Sequence, residues 1–202
     1  NVAVGSLTLD AATTANNNTA IGQGAMSGTT TGADNTAVGL SALYTNTTGG
    51  NNVALGRSSL FANQTGSNNV AVGRETLDSN TSGDNNTAVG YAALEKNTTA
   101  DNNTAFGRQA LQFNTTGTQN TAVGALALDA NTSADNNTAL GYVTLTSNTT
   151  GSENTGLGRG CLVNNTTGSQ NTAAGKGALA SNTTADNNTA VGYNALTANT
   201  TG

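Results

Sequence analysis

The chain has 202 residues, of which 35% are hydrophobic, 8% charged and 3% aromatic, with 26 Gly and no Pro, Trp or His. Without histidine there is no histidine-dependent triad, imidazole metal ligand or histidine pH switch, and one cysteine, Cys161, allows neither a disulfide framework nor a thiolate metal cluster. Six basic against eleven acidic residues, a net charge of −5, leave no basic patch for nucleic acid, and no apolar run approaches the ~20 residues of a membrane helix.

From Asn1 onward the chain is one repeat. The motif Asn35-Thr36-Ala37-Val38-Gly39 recurs at constant spacing, with its Asn at 1, 18, 35, 52, 69, 86, 103, 120, 137, 154, 171 and 188, without insertion or deletion. The consensus is N-T-A-V-G-x-x-A-L-x-x-N-T-T-G-x-N, and residues 1–202 form a single continuous array with no linker. The chain opens on Asn1 rather than Met, so it is expected to be a segment of a longer fibre. Position 5 is Gly in all twelve units, position 9 is Leu in eleven with Met26 the exception, position 4 is apolar throughout, and positions 6, 7, 10 and 11 vary.

A Gly at position 5 and an Asn-Thr-Thr-Gly cluster in each unit leave no room for a helix. Thr36-Ala37-Val38 predicts one short strand and Ala42-Leu43 a second; Asn46 to Gly49 predicts a turn with Gly49 at positive φ. Stacked at constant period, such units predict an all-β fold, a parallel β-solenoid of twelve 17-residue repeats. The structural columns are the Asn row of Asn35, Asn86 and Asn137, stacked as an amide ladder; the Gly row of Gly39, Gly90 and Gly141, at a corner or close backbone approach; and the apolar row of Leu43, Leu94 and Leu145. Columns containing Val38 and Leu43 are expected to fill a thin core.

Two large apolar side chains per unit are few for a chain of this length, which predicts further burial by association. Alternation along the strand puts Thr36 and Val38 on one face and Ala37 and Gly39 on the other; the flat Ala/Gly face is expected to meet another chain, most simply in a homotrimer. An alternative architecture comes from a longer period. Tyr91, Tyr142 and Tyr193 lie 51 residues apart, as do Arg57, Arg108 and Arg159, which fits a three-sided solenoid with 51 residues per turn.

The motif N-[TV]-A-[VIL]-G resembles the S-V-A-I-G repeat of trimeric autotransporter adhesin heads, which implies a parallel β-roll with three chains side by side. The whole unit, as in Asn86-Thr87-Ala88-Val89-Gly90-Tyr91-Ala92-Ala93-Leu94 followed by Asn97-Thr98-Thr99, is similar to tail-fibre-like repeats of phages and bacterial surface proteins. That resemblance implies an appendage, often ending in an intramolecular chaperone domain of the endosialidase type that assists trimerisation. The resemblance covers all 202 residues, and the repeats leave no place for that domain among them.

Position 12 supplies ten Asn-x-Ser/Thr patterns, at Asn46, Asn63, Asn80, Asn97, Asn114, Asn131, Asn148, Asn165, Asn182 and Asn199. They are glycosylation acceptor patterns on an expected surface turn, or simply good turn chemistry. Thr rows at positions 2, 13 and 14 could order water as an ice-binding array, although Gln64 and Ser82 interrupt them. Asp84, Asp101, Asp135 and Asp186 lack the spacing of a calcium roll and read as turn residues. Glu75, Asp78, Glu95 and Asp129 form no facing carboxylate pair of the kind glycoside hydrolysis needs, and Cys161 reads as a small core residue. The expectation is therefore a non-enzymatic protein without cofactor or metal. It would be a structural component of an extracellular or surface fibre, a stalk or tail-fibre-like appendage that self-associates. A glycan- or host-surface-binding module and an ice-binding solenoid are the alternatives.

Overall fold

A computed structural model describes residues 1–200 of the chain. Each repeat contributes one three-residue strand: β1 (Val2–Val4), β2 (Thr19–Ile21), β3 (Thr36–Val38), β4 (Val53–Leu55), β5 (Val70–Val72), β6 (Thr87–Val89), β7 (Thr104–Phe106), β8 (Thr121–Val123), β9 (Thr138–Leu140), β10 (Thr155–Leu157), β11 (Thr172–Ala174) and β12 (Thr189–Val191). They form one parallel sheet in the order β1 to β12, each strand paired with the next in sequence. Thr19 pairs with Thr36 and Ala20 with Ala37, so every coil advances the chain by one repeat and like residues stack. The fold is a parallel β-solenoid, and this register overturns the three-sided alternative. A 51-residue turn would stack Tyr91 on Tyr142, whereas the strand before Tyr91 pairs with that before Arg108.

The rest of the coil is not a second strand. Gly39 ends β3 with φ +140, and the Ala42 N–H returns to the Gly39 carbonyl at 3.3 Å in a turn. Leu43 is left-handed, φ +53, as is the residue at position 9 in every coil. A second turn follows, as in the Asn63 N–H to Leu60 carbonyl bond of 3.2 Å. The positive φ expected at Gly49 falls on Asn51 instead, at +59, an Asn being one of the few residues that tolerates that region. A left-handed Leu costs ~1–2 kcal/mol. It persists because it turns the side chain inward, where burial contributes about 2 kcal/mol.

The interior holds positions 1, 3, 8, 9, 12 and 15 of the unit: Asn35, Ala37, Ala42, Leu43, Asn46 and Gly49 in the third coil, all buried. This corrects the expected core. Val38 is 37% exposed, whereas Ala37 is fully buried. A 17-residue coil is narrow, and the Leu column fills it, so the strand turns its small residue inward and its large one out. The Ala face expected to meet another chain therefore packs against the Leu column of its own coil.

Two amide ladders close the narrow core. At position 12, Asn97 Nδ2 donates to Asn80 Oδ1 at 2.8 Å and to the Ala100 carbonyl at 3.0 Å, and the pattern runs from Asn46 to Asn182. At position 1, the Asn35 N–H donates to Asn18 Oδ1 at 2.8 Å, and Asn35 Nδ2 donates to the Gly49 carbonyl at 2.9 Å. Asn46 Nδ2 reaches the same carbonyl at 3.0 Å, so both ladders clamp one peptide group. The structural columns through Asn86 and Asn137 are bonded alike. A third ladder lies outside: the Thr98 hydroxyl donates to the Thr115 carbonyl of the next coil at 3.0 Å, and Thr81, Thr115, Thr149 and Thr166 repeat the contact.

The Gly column is obligatory for two reasons. Gly90 has φ +131, outside the range of ordinary L-residues, and a Cβ there would stand 2.6 Å from the Gly107 carbonyl oxygen. Gly90→Ala is expected to lower stability by roughly 1–3 kcal/mol, read as a fall in Tm with loss of exchange protection centred on the adjoining coils. The second coil departs from the ladder in the opposite sense. Thr29 stands at position 12, and its buried hydroxyl has no partner. Thr29→Asn extends the ladder by one rung and is expected to stabilise by about 1 kcal/mol; an unchanged or lower Tm would contradict the ladder as a source of stability.

Candidate functional site

An array of near-identical coils offers surfaces rather than a cleft, so the candidates are columns. The most regular is the outer face of the sheet. Position 2 is Thr or Val in all twelve coils and position 4 is aliphatic except at Phe106, with no charge at either. Ile21, Val38, Val123, Leu140 and Leu157 are exposed, and Phe106 is 56% exposed. Eleven inter-strand steps at about 4.8 Å make this an apolar stripe ~53 Å long. Nothing among the described residues covers it.

The expected acceptor row lies elsewhere than on the surface. Asn46, Asn63, Asn80, Asn97, Asn114, Asn131, Asn148, Asn165 and Asn182 are fully buried. The amide nitrogen that a glycosyl transfer would use donates instead to the position 15 carbonyl of its own coil and, from Asn63 onward, to the preceding Asn. The reading of these Asn-x-Ser/Thr patterns as exposed acceptors is therefore corrected: the turn backbone is superficial, but its Asn side chain points inward. Asn199 is partly buried and bonds to Asn182 Oδ1 at 3.3 Å; Thr201, which completes its pattern, lies outside the described residues.

The position 13 Thr hydroxyls are likewise spent on the carbonyls of the next coil, as in Thr47 to Gln64 at 2.9 Å. That row is therefore a brace and not a free water-ordering array; only positions 2 and 14 keep outward Thr. The Asp row at position 16 serves the backbone too. Asp84 Oδ1 accepts the Ser67 N–H at 2.6 Å and Asp101 Oδ1 accepts the Asp84 N–H at 2.7 Å, with Asp135 and Asp186 bonded alike. Among the described residues no three acids or cysteines gather into a metal-binding group. Cys161 is buried, its thiol 2.8 Å from the Gly175 carbonyl, and burial pushes the thiol up from its ordinary value. Thr76 and Thr144 make the same bond from the same position, at 2.6 Å each, which marks Cys161 as a small packing residue.

The variable edge, positions 6, 7, 10 and 11, carries all four tyrosines, Phe61 and every basic side chain. Arg74 lies 4.9 Å from the Tyr91 ring centroid, Arg159 5.7 Å from Tyr142 and Lys176 5.5 Å from Tyr193. Tyr44 stacks on Phe61 with centroids 5.2 Å apart. These are cation–aromatic and aromatic pairs between successive coils. Of the acids, Glu75 is near Arg74 at 3.4 Å and Glu95 near Lys96 at 2.6 Å. Comparison with models of protein families, with curated proteins and with solved structures finds no match.

Asp78 and Asp129 sit half-buried on this edge. Burial raises the carboxyl pKa of both, opposed at Asp78 by Lys96 and at Asp129 by the Thr146 hydroxyl. A folded-state pKa above the unfolded one means that stability falls as pH rises through that window, and that no penalty remains below the unfolded pKa. Asp78→Asn is expected to raise Tm slightly at pH 7 and to leave it unchanged below about pH 3. Equal shifts at both pH values would show that the effect is packing and not charge.

Proposed function

We propose that the chain is a structural segment of an extracellular or surface fibre, a stalk or tail-fibre-like appendage, and that copies assemble side by side, most simply as a homotrimer. The observation that carries this reading is the apolar stripe. An unbroken row of apolar side chains on an uncharged sheet face, exposed in most coils and half-buried at Leu55, Val72, Val89 and Ala174, is the feature of an interaction surface rather than of scattered surface apolars.

The interior supports a mechanical role. Every coil is tied to the next by backbone bonds at constant register, and most by three side-chain ladders as well, so load along the axis is shared from coil to coil. Association through Val38 and its column, and not through Ala37, follows from which face the coil leaves open. No catalytic group is needed by this reading.

The double variant Val72→Lys and Val123→Lys places two charges on the stripe without touching the core. Sedimentation equilibrium of the parent chain is expected to give an oligomer, and the variant a folded monomer. A parent chain that stays monomeric at every concentration would overturn the assembly reading.

A further inference from the structure

The charges of the chain are sorted by position. Five of the six basic residues, Arg57, Arg74, Arg108, Arg159 and Lys176, stand at position 6, just past the end of a strand, and all five are exposed. No acid stands at that position. Six of the eleven acids, Asp34, Asp84, Asp101, Asp135, Glu153 and Asp186, stand at positions 16 and 17, just before the next strand, where no unit carries a basic residue. The other five acids lie at positions 7 and 10, beyond the basic column. The apolar stripe at positions 2 and 4 is therefore bordered by a basic rim on one side and an acidic rim on the other.

The two rims do not neutralise each other within the chain. Among the described residues only Arg74 of these five cations has a carboxylate at ion-pair distance, that of Glu75 at 3.4 Å. Arg159 and Lys176 lie over the Tyr142 and Tyr193 rings, which holds them in place without neutralising their charge. On the other rim Asp101 Oδ1 accepts the Asp84 N–H, and its second oxygen accepts no bond among the described residues.

A face bordered in this way complements itself in one orientation only. Where two copies meet stripe to stripe and run in the same direction, the basic rim of each lies against the acidic rim of the other. Where they run in opposite directions, basic meets basic and acidic meets acidic, which is unfavourable. A closed ring of same-direction copies also has no axial offset. At zero offset the charges come level. Arg108 follows β7 and Asp101 precedes it; Arg159 follows β10 and Glu153 precedes it. Arg57, Arg74 and Lys176 follow strands one step, about 4.8 Å, from those that Asp34, Asp84 and Asp186 precede.

We infer that copies of the chain associate stripe to stripe, all pointing the same way and without offset, and that the position 6 cations of each copy pair with the position 16 and 17 carboxylates of the next. This rests on the assembly proposed above and adds to it a direction, a register and a pair of contacting rims. The charges sit at the edge of the apolar contact, where they select orientation more than they add affinity.

The test uses the full chain with Cys161→Ala, the residue that Ala127 already supplies at the same position of another coil. For direction, Gln23→Cys carries a nitroxide, and double electron–electron resonance reads the distance between labels in the assembly. Opposed copies in full overlap would put nine coil steps, ~43 Å, between the labels along the axis, whereas same-direction copies keep them level; distances under ~40 Å are expected. For the rims, Arg159→Glu and Glu153→Lys, both at exposed positions, are each expected to raise the concentration of half-assembly about fivefold in sedimentation equilibrium. The chain that carries both is expected to return to within about twofold of the parent. Labels ~40 Å or more apart, or a double variant that assembles no better than either single one, would overturn the paired rims and leave the assembly itself standing. A parent chain that is monomeric at every concentration would overturn both and give the stripe to a partner other than a second copy.

Discussion

The interior of this solenoid is one leucine wide, and most of its chemistry follows from that width. So short a coil cannot enclose two rows of large side chains. The Leu43 column takes the centre, Ala37 and Ala42 fill the flanks, and at the far side the backbone itself borders the core. A peptide group there needs a partner, since a buried carbonyl left unpaired costs as much as a lost hydrogen bond. Asn is the side chain that suits: it donates to the position 15 carbonyl with one N–H and to the preceding Asn with the other, and it accepts from the Asn of the following coil. The Asn rows are thus the polar half of a core too thin to be wholly apolar.

The same width explains the backbone. Within one coil the chain reverses direction using left-handed residues at positions 7, 9 and 17 and the extreme φ of the Gly at position 5. Gly39 is required because its Cα faces the carbonyl of Gly56 in the next coil. Leu43 is not a conformational choice at all; it is there for its side chain, and the inter-coil bond from its N–H to the Ser59 carbonyl, 2.9 Å, holds it in the left-handed region.

The repeat, its length, the parallel stacking and the Asn35 ladder were legible in the sequence because stacking identical units admits few arrangements. What was not read correctly was direction. Val38 looked like core because it is large, and Ala37 like a flat exterior because it is small. The signal was present in the variation between units: position 3 is Ala in eleven units and Gly156 in the other, whereas position 4 ranges from Ala174 to Phe106. Uniform size marks confinement; a varied column marks an open face. The turn at Asn46 was likewise located, but a turn's position says nothing of which way its side chain points. Here the column of Asn above and below decides it.

That contrast between uniform and varied columns also separates scaffold from specificity. A substitution inside a coil is felt by the coils on either side, because each rung donates to one neighbour and accepts from the other. Change is greatest at positions 6, 7, 10 and 11, on the outer edge of the coil. The solenoid can therefore carry a different surface feature in one coil without disturbing the rest. The second coil shows both halves of this. Its outer positions carry Gly24, over which the Tyr44 ring lies, and Gly28, with the strand register unbroken on either side. Its inner position 12 became Thr29, where the ladder lost a rung and a hydroxyl was left without a partner. The outward glycines leave the register intact and the inward Thr leaves a polar group unpaired, which is the difference between an edge that tolerates variation and a column that does not.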